Sequence, residues 1–169
     1  MEKTVYNGQF IQVKEQIVDN YKWEKVFLPS SLVIYPIEDN QIYMIVEKRP
    51  HEKTVNRLKF VTGHIDKGEE ILACANREMQ EEIGLKAQEL EIIYHHESSG
   101  TLNSNFFMVK AQKLSPHKLP NPDGEETILE IKKIHIDELY RMIFNHEITW
   151  GLSCLGFLKI YHDIKKGSH

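Results

Sequence analysis

Glu69, Glu78, Glu81 and Glu82, with Arg77 among them, are the residues whose types and spacing could do chemistry. A glycine-punctuated loop, Gly63-His64-Ile65-Asp66-Lys67-Gly68, runs into a segment with helical periodicity that ends at Gly84-Leu85. At about 100° per residue, Glu81, Glu78 and Glu82 fall across one arc of roughly 100°, and Ala75, Met79, Leu72 and Ile83 fill the adjoining arc. One face can bury while its neighbour gathers negative charge. Like charges three and four residues apart on a helix repel unless a cation or solvent relieves them. Hard divalent cations prefer oxygen ligands, so this arc could hold one or more metals that also touch phosphate oxygens. Arg77 lies four residues before Glu81 and eight after Glu69, where it can pair with an acid and hold the loop in place. The alternative for a bare acidic face is simple solvation.

The elements around this stretch are those that must position it. Leu58-Lys59-Phe60-Val61 reads as a short strand leading straight into Gly63, and Glu69 and Glu70 are placed in the first helical turn, where negative charge suits the dipole. Gly84 suits a left-handed helix cap. Upstream, Ser31–Ile37 and Gln41–Glu47 read as a core hairpin about Glu38-Asp39-Asn40. Lys48 and Arg49 follow at the strand's end, a basic pair that could meet a phosphate or form a solvated loop. Before Pro29, Tyr21–Phe27 alternates apolar with charged residues as a half-buried strand does, after a turn at Asp19-Asn20. Residues 1–28 therefore read as a small antiparallel unit, in which Trp23 and Tyr21 could stack on a base or make a packing or subunit contact. Downstream, Leu90–His96, Asn105–Ala111 and Ile128–Ile134 read as strands, with 97–104 as a polar loop suited to lining a site. Asp137 is predicted to cap one helix, and Thr149 or Ser153 to begin a last one. The order of strands, helix, strands and terminal helices gives an α+β class, with residues 29–166 as the main domain.

At 169 residues, 41% hydrophobic and 27% charged, the chain suits a globular fold with an adequate core. A net charge of -4 argues against a general nucleic-acid binder, which needs a basic stripe. Small anionic substrates stay open, because a divalent metal reverses the sign of an acidic site. Cys74 and Cys154 have no metal-ligand spacing and read as reduced, buried thiols. No apolar run reaches membrane-span length, so a cytoplasmic protein without membrane partners is expected. The histidines form no ligand set, and each is read as structural or substrate-facing.

Taken whole, the pattern of Gly63, five residues, Glu69, seven residues, then Arg77-Glu78-Met79-Gln80-Glu81-Glu82-Ile83-Gly84-Leu85 resembles the Nudix hydrolase signature at every fixed position. The resemblance implies an α/β/α sandwich around a mixed sheet, and hydrolysis of a nucleoside diphosphate linked to another moiety. It implies Glu78 and Glu82 as direct metal ligands and Glu81 as a ligand directly or through water. The carbonyl of Thr62 or Gly63 would be a further ligand, with Arg77 and Glu69 tying loop to helix. Mg²⁺ is the implied cofactor, with Mn²⁺ as an alternative.

The N-terminal strand unit, Lys48-Arg49, the C-terminal helix and the acidic run Asp123-Gly124-Glu125-Glu126 are similar to the ADP-ribose pyrophosphatase branch. That branch implies a homodimer and a general base from the later loop, here Glu125 or Glu126. Those enzymes often carry Ser-Pro-Gly after the motif; this chain has Ser98-Ser99-Gly100, with Ser99 as a substrate-side candidate, which leaves the sugar open. The expected activity is hydrolysis of ADP-ribose or another nucleoside diphosphate sugar to a nucleoside monophosphate and a sugar phosphate. The alternatives are a nucleoside triphosphate pyrophosphohydrolase and a non-catalytic ligand-sensing or RNA-binding module.

Overall fold

The computed structural model describes residues 2–48, 56–120 and 127–167. Its centre is β4 (Ser31–Glu38), where Leu32, Val33, Ile34 and Tyr35 are all fully buried. A strand covered on both faces must be apolar at consecutive positions, which is why this run does not alternate. β6 (Arg57–His64) pairs antiparallel with one edge of β4, and β8 (Leu102–Pro116) pairs parallel with the other. β5 (Gln41–Lys48) lies beyond β6, and β9 (Thr127–His135) beyond β5. β7 (Leu85–Ser99) pairs antiparallel with β8. β1 (Glu2–Asn7), β2 (Gln12–Val18) and β3 (Tyr21–Phe27) form a meander that joins β8 in parallel through Val26 and Phe27.

Helix α1 (Ile71–Glu82) covers one face, burying Cys74, Ala75 and Met79 against Leu32, Ile34, Ile45, Val61 and Val109. The other face receives α2 (Ile136–Phe144) and α3 (Gly151–Lys166), with Leu139, Phe157 and Ile160 packed on Val33, Tyr35, Met44, Phe60 and Met108. The result is the expected three-layer sandwich about a mixed sheet. Among the described residues, no helix is long and apolar enough to cross a membrane. Cys74 and Cys154 are free and buried, and burial pushes both thiols above their usual pKa.

The α3 layer is held close by Gly156. A Cβ there would lie 2.3 Å from the Tyr35 hydroxyl and 2.7 Å from the Met108 sulfur. Tyr35 donates a buried 2.6 Å hydrogen bond to the Ser153 carbonyl, so its ring has little freedom to retreat. Gly156→Ala is therefore expected to destabilise by about 1–3 kcal/mol through overpacking, read as a lower midpoint in urea.

Several local expectations are corrected. The β4–β5 turn forms, with Asp39 at φ 51° and Asn40 at φ 58°, the positive pair of a type I′ turn. Yet only Ile37 and Glu38 pair across it before β6 enters between the strands. The polar stretch 97–104 is mostly ladder: Glu97, Ser98 and Ser99 pair with Asn105, Ser104 and Asn103, leaving a tight turn at Gly100-Thr101. Among the described residues β7 pairs only with β8, so a strand at this sheet edge can be polar and still be a strand. Glu69 and Glu70 precede α1 instead of occupying its first turn, and Leu72 is exposed. His135, not Asp137, caps α2, its ring accepting from the Asp137 amide. α3 starts at Gly151 after Trp150, ahead of Ser153 and two residues beyond Thr149. Tyr21 and Trp23 are exposed, not half-buried.

Candidate active site

The pairing of Leu32 with Gly63 fixes where β6 delivers the chain to the motif loop. Ile65 then donates to the Ser30 carbonyl at 2.9 Å, and Gly68 takes φ 84°, a left-handed geometry that favours glycine. Glu69 closes the loop locally: its amide donates to the Asp66 carbonyl, and its carboxylate accepts from the Asp66 amide. Arg77 grips both oxygens of that carboxylate with a two-toothed fork, Nε to Oε1 at 2.8 Å and Nη2 to Oε2 at 3.0 Å. Its Nη2 also reaches the His64 carbonyl at 3.2 Å. One guanidinium thus ties both ends of the loop to the helix, a geometry a lysine cannot reproduce.

The same Arg77 neutralises the acids. Its Nη1 contacts Glu78 at 2.9 Å and Glu81 at 3.1 Å, and Glu81 and Glu82 are only 7% and 5% exposed. Glu78 lies flat against β6 because residue 63 has no side chain: a Cβ there would fall 2.3 Å from the Glu78 carboxyl carbon. Gly84 terminates the helix at φ 68°. Beyond it His117 donates to the Gly84 carbonyl, Lys118 to that of Glu81 and Leu119 to that of Gln80, so residues 117–119 are strapped to the end of α1.

The Arg77 fork holds the Glu69 carboxyl down at a pKa of about 2. A depressed carboxyl pKa contributes stability that is present above the unfolded value near 4.5 and is lost as pH falls through the folded value. Acid titration of wild type is therefore expected to lose a component between about pH 4.5 and 2 that Glu69→Gln lacks, read by thermal melts across that range.

A second ionic group sits at the Glu82 end, and neither of its central members stands out in the motif. Lys59 on β6 is 6% exposed, with Nζ 2.9 Å from Glu47, 3.0 Å from the Thr62 hydroxyl and 4.0 Å from Glu82. Glu47, 1% exposed, also meets Arg57 at 3.4 Å. Period-2 alternation carries the signal: Glu47 lies two residues beyond Ile45 and Lys59 two before Val61, both of which pack under α1. β6 and the start of α3 further enclose a cavity of about 30 Å³ lined by Lys59, Phe60, Thr62, Ile148, Trp150 and Ser153.

The remaining candidates are dispersed. Lys48 is exposed at the end of β5, next to Thr127 of β9. Ser99 is exposed at the β7–β8 turn, and Trp23 is exposed on β3, four strand positions from β5 across the sheet. His64 in the motif loop stacks on Phe10 from the β1–β2 turn, ring centres 6.0 Å apart. Arg49, Glu125 and Glu126 lie outside the described residues.

The donor types suit a divalent cation: three carboxylates on one largely buried face beside a glycine that makes room for one of them. Their partners include Arg77 and Lys59, and among the described residues no three His, Cys, Asp or Glu side chains already converge in a metal-ready cluster. A metal would share these oxygens with the internal cations.

The chain is similar to several known proteins. The chain is 24% identical over 162 residues to the ADP-ribose pyrophosphatase of Bacillus subtilis (strain 168), covering 87% of this chain and 85% of that protein. It is 31% identical over 97 residues to the ADP compounds hydrolase NudE of Escherichia coli (strain K12), covering 57% of this chain and 52% of that one. A crystal structure of an ADP compounds hydrolase superposes with a TM-score of 0.81 at 19% identity, covering 99% of this chain and 93% of the other, which speaks to the fold. The NUDIX domain matches residues 28–149, most of the chain including the whole loop and helix described above. The chain therefore belongs to the NUDIX family, the pyrophosphohydrolases whose motif it carries from Gly63 to Leu85.

Proposed function

We propose that the protein hydrolyses the diphosphate linkage of a nucleoside diphosphate sugar, with ADP-ribose the first substrate to test and Mg²⁺ the working cation. The observation that carries this reading is the buried carboxylate face of Glu78, Glu81 and Glu82 on a helix locked to its loop by Arg77. Two relatives named for ADP-linked substrates support the choice of nucleotide.

Glu78 and Glu82 are the direct metal ligands in this reading, Glu81 binds directly or through water, and the carbonyl of Thr62 or Gly63 completes the set. A divalent cation held there supplies neutralisation of the diphosphate charge and a more acidic water for in-line attack at phosphorus. Arg77 and Glu69 keep the helix and loop in register. Glu125 or Glu126 takes the proton from the attacking water. The described residues on either side of the acidic run support this: 117–119 are tied to the end of α1, and Thr127 pairs with Lys48. Lys48 and Arg49 meet the phosphates, and Ser99 and Trp23 face the nucleoside or sugar.

Residues 1–28 act as an N-terminal strand extension that mediates a homodimer. Its support is an uncovered apolar surface, with Tyr6, Phe10, Ile17, Tyr21 and Trp23 all exposed, and a NUDIX match that begins at residue 28. The spread of Trp23 and Lys48 across one sheet fits a site completed by the partner.

A panel of nucleoside diphosphate sugars and nucleoside triphosphates with product identification tests the reading. Nucleoside monophosphate plus sugar phosphate supports it; monophosphate plus pyrophosphate from triphosphates alone would replace it. Glu125→Gln is expected to lose less activity than Glu78→Gln, because Glu126 can substitute.

A further inference from the structure

We infer that Lys59 is a resident counter-ion of the Glu47–Glu82 end of the site, and that it restrains how many divalent cations the substrate-free protein holds and how tightly. The inference rests on the metal reading of Glu78, Glu81 and Glu82 proposed above. It starts from burial. Lys59 and Glu47 are 6% and 1% exposed, and a charge pair so far from water is stabilising only if each member keeps its partner. The ammonium lies 2.9 Å from Glu47 and 4.0 Å from Glu82, whereas Arg77 serves Glu69, Glu78 and Glu81 at the other end.

The charges decide the consequence. Lys59 puts one positive charge beside Glu47 and within 4.0 Å of Glu82. Removing it would make that end of the acidic face more negative by one. A metal near Glu82 would then meet one fewer positive charge at short range, where screening by salt is weak. Lys59 thus reserves the Glu82 end until the phosphates and cations of a substrate complex rearrange it. It is a positioning residue that acts through Glu82 and Glu47, not a group that touches the reacting atoms.

The test is Mn²⁺ binding to the intact, substrate-free protein, with free Mn²⁺ read by electron paramagnetic resonance for wild type, Lys59→Met, Lys59→Arg and Glu47→Gln. Methionine keeps the length of the side chain without its charge. Lys59→Met is expected to bind Mn²⁺ at least about tenfold more tightly, or to gain a site, and Lys59→Arg to match wild type. Glu47→Gln is expected to bind more weakly, because the site loses the negative charge 2.9 Å from Lys59 and the ammonium weighs more on Glu82. Binding by Lys59→Met that equals or falls below wild type, or tightening in Lys59→Arg as well, would overturn the inference. If Lys59→Met does not fold, Glu47→Gln decides: weaker binding supports the inference, and unchanged or tighter binding overturns it. Wild type that binds no Mn²⁺, or binding indifferent to Glu78→Gln, overturns the metal reading and the inference with it.

Discussion

Glu78→Gln and Glu82→Gln are each expected to lower kcat by about three orders of magnitude or more while changing KM little. Glutamine keeps the shape of each side chain and removes its charge. In the proposed mechanism, the charge matters most when negative charge builds on the transferring phosphoryl group, because the cation held by these carboxylates must neutralise it at that moment. Interactions that strengthen only in the transition state appear in kcat and kcat/KM together. The two positions have different surroundings, which adds a control. Glu78 shares Arg77 with Glu69 and Glu81, whereas Glu82 lies beside Lys59 in the second ionic group. Steady-state kinetics with saturating Mg²⁺, beside circular dichroism to establish folding, makes the measurement. Losses below about tenfold at both positions would contradict the assigned roles.

Gly63→Ala is the second large effect expected, and it involves no charge. The added Cβ would stand 2.3 Å from three atoms of the Glu78 side chain, a separation that real contacts do not reach. The Glu78 side chain is flexible, so the protein yields by moving it off β6, at a cost of about 1–3 kcal/mol in stability. The functional cost is greater in the proposed mechanism, where Glu78 is a metal ligand and a misplacement of about 1 Å can cost about 10²-fold in rate. The expected signature is a fall in kcat of that size with a modest loss of midpoint in urea. Full activity with unchanged stability would show that Glu78 does not need the space that glycine leaves.

The parts of this molecule that could be read in the sequence are those set by short-range geometry. Glu78, Glu81 and Glu82 share a face because helical pitch places them there, and Gly84 caps the helix because a left-handed residue is needed after Ile83. β4 was legible as a core strand because burial on both faces demands continuous apolar residues.

What escaped depends on register or on competition between neighbours. Lys59 meets Glu47 only because β5 and β6 pair antiparallel with Ile45 opposite Lys59, a register that no local pattern announces. The start of α1 is fixed by the bonds of Glu69 to Asp66 and Arg77, which hold the acid in the loop and keep it out of the first turn. His135 and Asp137 are two residues apart and either could cap α2; the His135 ring accepts the amide, and Asp137 instead takes the Tyr161 hydroxyl and Lys165. Ser98 and Ser99 looked like loop because edge strands can be polar, and the turn between β7 and β8 is held by Ser98 to Leu102 and Asn103 to Gly100.

The most direct test of the central claim is a side-by-side incubation of ADP-ribose with wild type and Glu82→Gln, with and without Mg²⁺, followed by phosphorus NMR of the products. The account predicts AMP and ribose 5-phosphate from wild type only when Mg²⁺ is present, and next to none from the variant. Equal cleavage by both proteins, or cleavage by wild type that continues under a chelator, would contradict the assignment of the Gly63–Leu85 loop and helix as the hydrolytic site.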